Sequence, residues 1–85
     1  MSDLQKQFDE AVAESKMLPQ RPDNNILLKL YALYKQGTSG DAGDARPGAS
    51  DLIGRAKYDA WSEISGTPKE QAMQQYVDLI DSLKD

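Results

Sequence analysis

The sequence predicts an all-α fold, four helices packed around one core. Two observations carry this. Four segments place apolar residues at the i, i+3, i+4 spacing of a helix, and nothing alternates at period two for long enough to form a strand. Three breaks bearing glycine and proline separate those segments: MLPQRP, where Pro19 and Pro22 forbid a continuous helix; GTSGDAGDARPGAS, residues 37–50; and Ser65-Gly66-Thr67-Pro68. The second break holds Gly37, Gly40, Gly43 and Gly48, so it reads as a long loop of the kind used for crossovers or function.

The first helix is expected from about Asp3 to Lys16, after a Ser2-Asp3 cap, with Leu4, Phe8, Ala11 and Val12 on one stripe. The second starts from a cap at Asp23 or Asn24. Its apolar residues Ile26, Leu27, Leu30, Tyr31, Leu33 and Tyr34 span an arc too wide for one stripe, so it is expected to cover two faces. The third opens near Ser50 or Asp51 and carries Leu52, Ala56, Ala60, Trp61 and Ile64, a spacing that puts Trp61 in the core. Gly54 inside it costs about 1 kcal/mol relative to alanine, which predicts a ragged first turn. The fourth runs from Pro68 to about Leu83, with Thr67 as N-cap, Pro68 at the first helical position and Glu70 completing a capping box. Its stripe is Ala72, Met73, Tyr76, Val77, Ile80 and Leu83. The long second break lets helices two and three run parallel, so an up-down-down-up bundle is one natural topology.

Eighty-five residues are expected to form one small domain. Lack of cysteine removes disulfides and thiolate zinc sites, and lack of histidine removes the commonest general base and metal ligand. Ser39 in GTSG is not a nucleophile elbow, Asp41-Ala42-Gly43-Asp44 fails the calcium-loop pattern, and the Gly37, Gly40, Gly43 spacing matches no phosphate-binding fingerprint. No catalytic residue, metal site or cofactor is therefore expected, and the chain reads as a binder rather than an enzyme. No apolar run approaches the ~18 to 20 residues of a membrane span. The start MSDLQKQFDE lacks the pattern of a signal peptide, so a cytoplasmic address without stable membrane insertion is expected.

A net charge of −4 argues against nucleic acid as a partner. The distribution says more. Residues 16–57 hold seven basic side chains (Lys16, Arg21, Lys29, Lys35, Arg46, Arg55, Lys57) against four acidic ones, a local +3, while the rest of the chain carries −7. Within the basic part, Tyr31, Tyr34 and Lys35 stand at i, i+3 and i+4, so one side of helix two offers two phenol rings and an ammonium. Rings suit a nucleobase and the cation suits a phosphate. The same spacing also fits tyrosines in the core with their hydroxyls reaching water, and an interaction module in which the extra apolar face of helix two docks a partner helix.

Phe8-Asp9, LYALYKQGTSGD (Leu30 to Asp41), ARPG (Ala45 to Gly48), GRAKYDAW (Gly54 to Trp61) and GTPKEQAMQQYVD (Gly66 to Asp78) together resemble the acyl-CoA-binding protein family over essentially the whole chain. The resemblance implies a single acyl-CoA-binding domain over residues 1–85, folded as an up-down-down-up four-helix bundle. It further implies a cytoplasmic carrier and pool former that binds one medium- to long-chain fatty acyl-CoA ester without altering it. Such a carrier is expected to be a monomer making transient contacts with acyl-CoA-using enzymes or membranes. Carried over by residue, Tyr31, Lys35 and Lys57 would hold the 3′-phosphate and Tyr34 would stack on adenine. Tyr76 and Lys16 would complete the pocket, Val12 and Leu27 would line the acyl groove, and Arg21 is a further phosphate candidate. Two positions depart from the family pattern: Ile53 stands where a lysine is frequent, and Tyr58 where a tryptophan is usual.

Overall fold

The computed structural model describes residues 2–43 and 46–84; Met1, Asp44, Ala45, Asp85 and the Ser2 side chain, with the cap expected from it, lie outside the described residues. Four α-helices are present among the described residues: α1 Ser2–Glu14, α2 Asn24–Ser39, α3 Leu52–Glu63 and α4 Lys69–Leu83, with a 3-10 turn at Ser15–Met17 behind α1. No strand occurs among the described residues.

Helix directions follow from which ends meet. Late in α3, Trp61 Nε1 donates to the Gly40 carbonyl just past α2 at 2.8 Å, while early in α3 Ile53 and Ala56 share a groove with Asn24 and Leu27 at the start of α2. Helices α2 and α3 are therefore parallel. Gln36 near the end of α2 donates to the Thr67 carbonyl ahead of α4 at 2.8 Å, and Ile26 near its start shares a crevice with Leu83, so α2 and α4 are antiparallel. Lys84 Nζ lies 2.9 Å from Glu14 at the ends of α4 and α1, which run parallel. The topology is up-down-down-up.

Packing joins α1 to α4, α4 to α2 and α2 to α3, and the molecule measures 37 × 31 × 15 Å. The short dimension is little more than the ~10–12 Å diameter of one helix. The helices thus lie in one layer with α2 and α4 inside, which is why α2 needs its wide apolar arc. The core is Phe8 and Ala11 from α1, Leu30 and Leu33 from α2, and Ala72, Tyr76, Val77 and Ile80 from α4. Helix α3 contributes no buried residue, so the expected four-helix core is a three-helix core with α3 laid against one side.

Several boundaries differ from expectation for local reasons. Helix α2 runs through Gly37, Thr38 and Ser39, which the sequence reads as loop, because Gly37 is buried where two helices approach closely: a Cβ there would stand 3.2 Å from Met73 Cγ. The break comes at Gly40, at φ 84° and ψ −153°, whose N–H returns to the Gln36 carbonyl at 3.1 Å. Gly54 does not fray α3. It leaves room for the Asp51 carboxylate, which accepts from Gly54 N at 2.9 Å and would collide with a Cβ. The Thr67 capping box is absent. Pro68 is extended (ψ 147°), α4 starts at Lys69 and no side chain caps it, because Thr67 is fixed in a turn by its own N–H to Ile64 O and by its carbonyl to Gln36.

Candidate functional site

Two i, i+4 pairs, Tyr31 with Lys35 on α2 and Lys57 with Trp61 on α3, face each other because the helices are parallel and in register. Each helix lends a cation to the other's ring: Lys57 Nζ stands 5.3 Å from the Tyr31 ring centroid and Lys35 Nζ 5.1 Å from that of Trp61. Neither ammonium has a carboxylate partner among the described residues, whose ion pairs are Arg46–Asp59, Lys84–Glu14 and Lys84–Asp81. Two positive charges therefore sit oriented on one seam, with no described carboxylate neutralising them.

Below them the seam opens into a groove of about 340 Å³ walled by Asn24, Leu27, Leu28, Ile53, Ala56 and Lys57. Ile53 is 72% exposed and Leu52 beside it 74%, so apolar surface continues from the wall to solvent. Lys57 belongs to both features, which makes groove and charge one continuous site.

The other expected residues lie elsewhere in the row. Tyr34 is 39% exposed on the side of α2 facing α1, its ring stacked on Phe8 at 6.0 Å and 6.5 Å from Tyr76. Tyr76 is a core residue, edge-on to Phe8 at 5.2 Å; burial raises the pKa of its phenol, partly countered by a hydrogen bond with Ser15. Lys16 is exposed in the turn after Ser15 and makes no ion pair or hydrogen bond among the described residues. Val12 packs on the core and is not a wall of the groove, whereas Leu27 is. Arg21 reaches Asn24 Oδ1 at 3.5 Å, at the groove's lower end.

Trp61, expected in the core, is half-buried on the seam, since α3 packs chiefly on α2. Its Nε1 donates to Gly40 O and, at 3.2 Å, to Gln36 Oε1. Gln36, 1% exposed, is the hub of a polar cluster: its Nε2 also donates to Asp41 Oδ1 at 2.7 Å and to Thr67 O, and Asp41 Oδ1 accepts from Gly66 N at 2.8 Å. The Gly66 N–H, and then the Gln36 amide, hold the Asp41 carboxyl below its usual pKa. Arg46 grips Asp59 with two bonds of 2.7 and 2.8 Å, pinning the loop to α3 and lowering the pKa of Asp59. Sequence reasoning missed the Gln36 cluster and the walls Asn24, Leu28, Ile53 and Ala56. The available signal was the mirrored i, i+4 pairing of cation and ring on the two helices.

Fold and groove together define a small helical module able to hold an elongated amphipath with an anionic head. The family model described as acyl CoA binding protein matches residues 5–80, and the chain belongs to that family. It is 48% identical over 81 residues to an acyl-CoA-binding protein homolog of Manduca sexta, covering 94% of this chain and 90% of that protein. It is 49% identical over 79 residues, 93% of this chain, to the enoyl-CoA delta isomerase 2 of Homo sapiens, of whose length it spans 20%. The crystal structure of Oryza sativa acyl-CoA-binding protein 2 superposes with a TM-score of 0.90 at 41% identity, covering 94% of this chain and 89% of that one.

Proposed function

We propose that this protein binds fatty acyl-CoA esters one to one and carries them unaltered. The observation that carries the reading is the continuity of the apolar groove with two ammoniums that have no carboxylate partner among the described residues. An acyl-CoA joins an apolar tail to a polyanionic head, so a binder must dry one end and neutralise the other. Leu27, Leu28, Ile53 and Ala56 offer the dry wall, and Lys35 and Lys57 the charge, with Tyr31 between them as a ring and hydroxyl donor. Lysine to phosphate is a charge-assisted bond, stronger than a neutral one. Tyr34 and Lys16, across α2 from the seam, would meet the adenosine end from the α1 side, with Tyr76 packed in the core behind Tyr34.

In this reading the ligand is the only small molecule required, with no cofactor, and the chain acts by itself as a monomeric cytoplasmic carrier and pool former rather than a catalyst. The isomerase relative supports a further setting for the same module, as a binding unit beside a catalytic one. No helix among the described residues is long and apolar enough to cross a membrane; contacts of the carrier with membranes and enzymes are proposed to be transient. The test is native mass spectrometry of protein purified without detergent. Copurified acyl-CoA at one per chain is expected, and a chain that stays bare after incubation with palmitoyl-CoA would overturn the reading.

A further inference from the structure

The geometry points to a role for Trp61 that goes beyond holding α3 in place: we propose that Trp61 is a positioning residue, which aims the Lys35 ammonium toward the ligand's phosphate before the ligand arrives. This rests on the reading of the seam as the head-group site.

The indole is itself fixed. Its Nε1 is tied to Gly40 O and Gln36 Oε1, and Tyr58 packs edge-on against it at 6.4 Å and 70°. Those anchors come from the end of α2, the cap beyond it and α3, so the ring plane is set by the same cluster that closes that end of the bundle. Lys35 Nζ stands over this plane at 5.1 Å, with no carboxylate partner among the described residues. A ring orients an ammonium through its negative face without cancelling the charge, as a carboxylate would. The ammonium has three N–H donors, and contact on one side leaves donors for an incoming oxyanion. Immobilising a lysine at the moment of binding lowers affinity, and a lysine already held avoids that loss. Tyr31 does the same for Lys57 at 5.3 Å, so both cations are poised by one device.

The experiment titrates dodecanoyl-CoA by calorimetry into wild type, Trp61→Phe, Trp61→Leu, Lys35→Met and the two Trp61 substitutions combined with Lys35→Met, with urea unfolding of each followed by circular dichroism. Phenylalanine and leucine lose the same indole hydrogen bonds, and of the two only phenylalanine keeps a ring. Affinity is expected to fall in the order Trp, Phe, Leu, with Trp61→Leu about two- to fivefold below wild type, the size of an exposed cation–π contact. In the Lys35→Met background both substitutions are expected to leave affinity unchanged. Equal affinities for Phe and Leu, tighter binding by Leu, or the same losses without Lys35 would each overturn the role of Trp61. Should Trp61→Leu fail to fold, Trp61→Phe in the two backgrounds decides by the same comparison. A wild type that ignores dodecanoyl-CoA, or a Lys35→Met protein that binds as well as wild type, removes the head-group reading itself.

Discussion

Replacing Gln36 by leucine tests whether the buried amide holds the bundle and the site together. The side chains are close in size, so the fold loses hydrogen bonds rather than volume. Three disappear: Nε2 to Asp41, Nε2 to Thr67 O, and Trp61 Nε1 to Oε1. Trp61 keeps Gly40 O and Asp41 keeps Gly66 N, so the Thr67 carbonyl is the group left without a donor. Three bonds at about 1 kcal/mol each, with an orphaned carbonyl at the upper end, less about 1 kcal/mol for the more apolar side chain, give a net loss of about 2–4 kcal/mol. A domain of this size has ~4–13 kcal/mol in total, and Tm should fall by ~10–25 °C. Trp61 is the single tryptophan and sits on the cluster, so its fluorescence in urea reports both unfolding and local release. A destabilisation below about 0.5 kcal/mol would refute the hub assignment. Acyl-CoA affinity should also fall at temperatures where the variant is fully folded, because the indole under Lys35 loses one anchor.

Three further outcomes are expected. Lys57→Ala should weaken coenzyme A esters by about ten- to a hundredfold but their 3′-dephospho analogues much less, measured by calorimetry; equal losses would take Lys57 off the 3′-phosphate. Gly40→Ala should cost about 1–3 kcal/mol in thermal unfolding, since φ 84° with ψ −153° is glycine backbone, and an unchanged Tm would contradict the cap geometry. Asp41 and Asp59 have folded pKa values below 3.8, so each takes up a proton more readily in the unfolded chain. Their stabilisation is complete above about pH 5 and is lost as pH falls through 3.8 and below. Urea midpoints between pH 7 and 3 should show this loss, and Asp41→Asn should flatten it.

The helices were legible because their apolar stripes are set by period alone, as Phe8 with Ala11 and Ala72 with Tyr76 and Ile80 show. What the chain hides is long-range. Gly37 looks like a breaker until Met73 is seen against it, and Gly54 looks like a weakness until the Asp51 carboxylate is seen in its place. Thr67 has the residue type of a cap, yet its carbonyl is claimed by an amide 31 residues away. Trp61 lies on a helical stripe, but that stripe faces one helix instead of a core, because α3 is outermost in the row. Of the candidate site, Tyr31, Lys35, Lys57 and Leu27 came together on the α2–α3 seam. Tyr34 and Tyr76 gathered around Phe8 on the opposite side of α2.

The central claim, that one site takes both an acyl tail and a coenzyme A head, is tested most directly by calorimetry with free coenzyme A and its octanoyl, dodecanoyl and palmitoyl esters. Each methylene buried in the groove contributes about 0.8 kcal/mol, roughly fourfold in affinity, until the walls from Leu27 to Ile53 are covered. Affinity rising from coenzyme A through the longer esters, at one ligand per chain, is the expected result. Octanoyl and palmitoyl esters binding alike, or no better than coenzyme A itself, would contradict it.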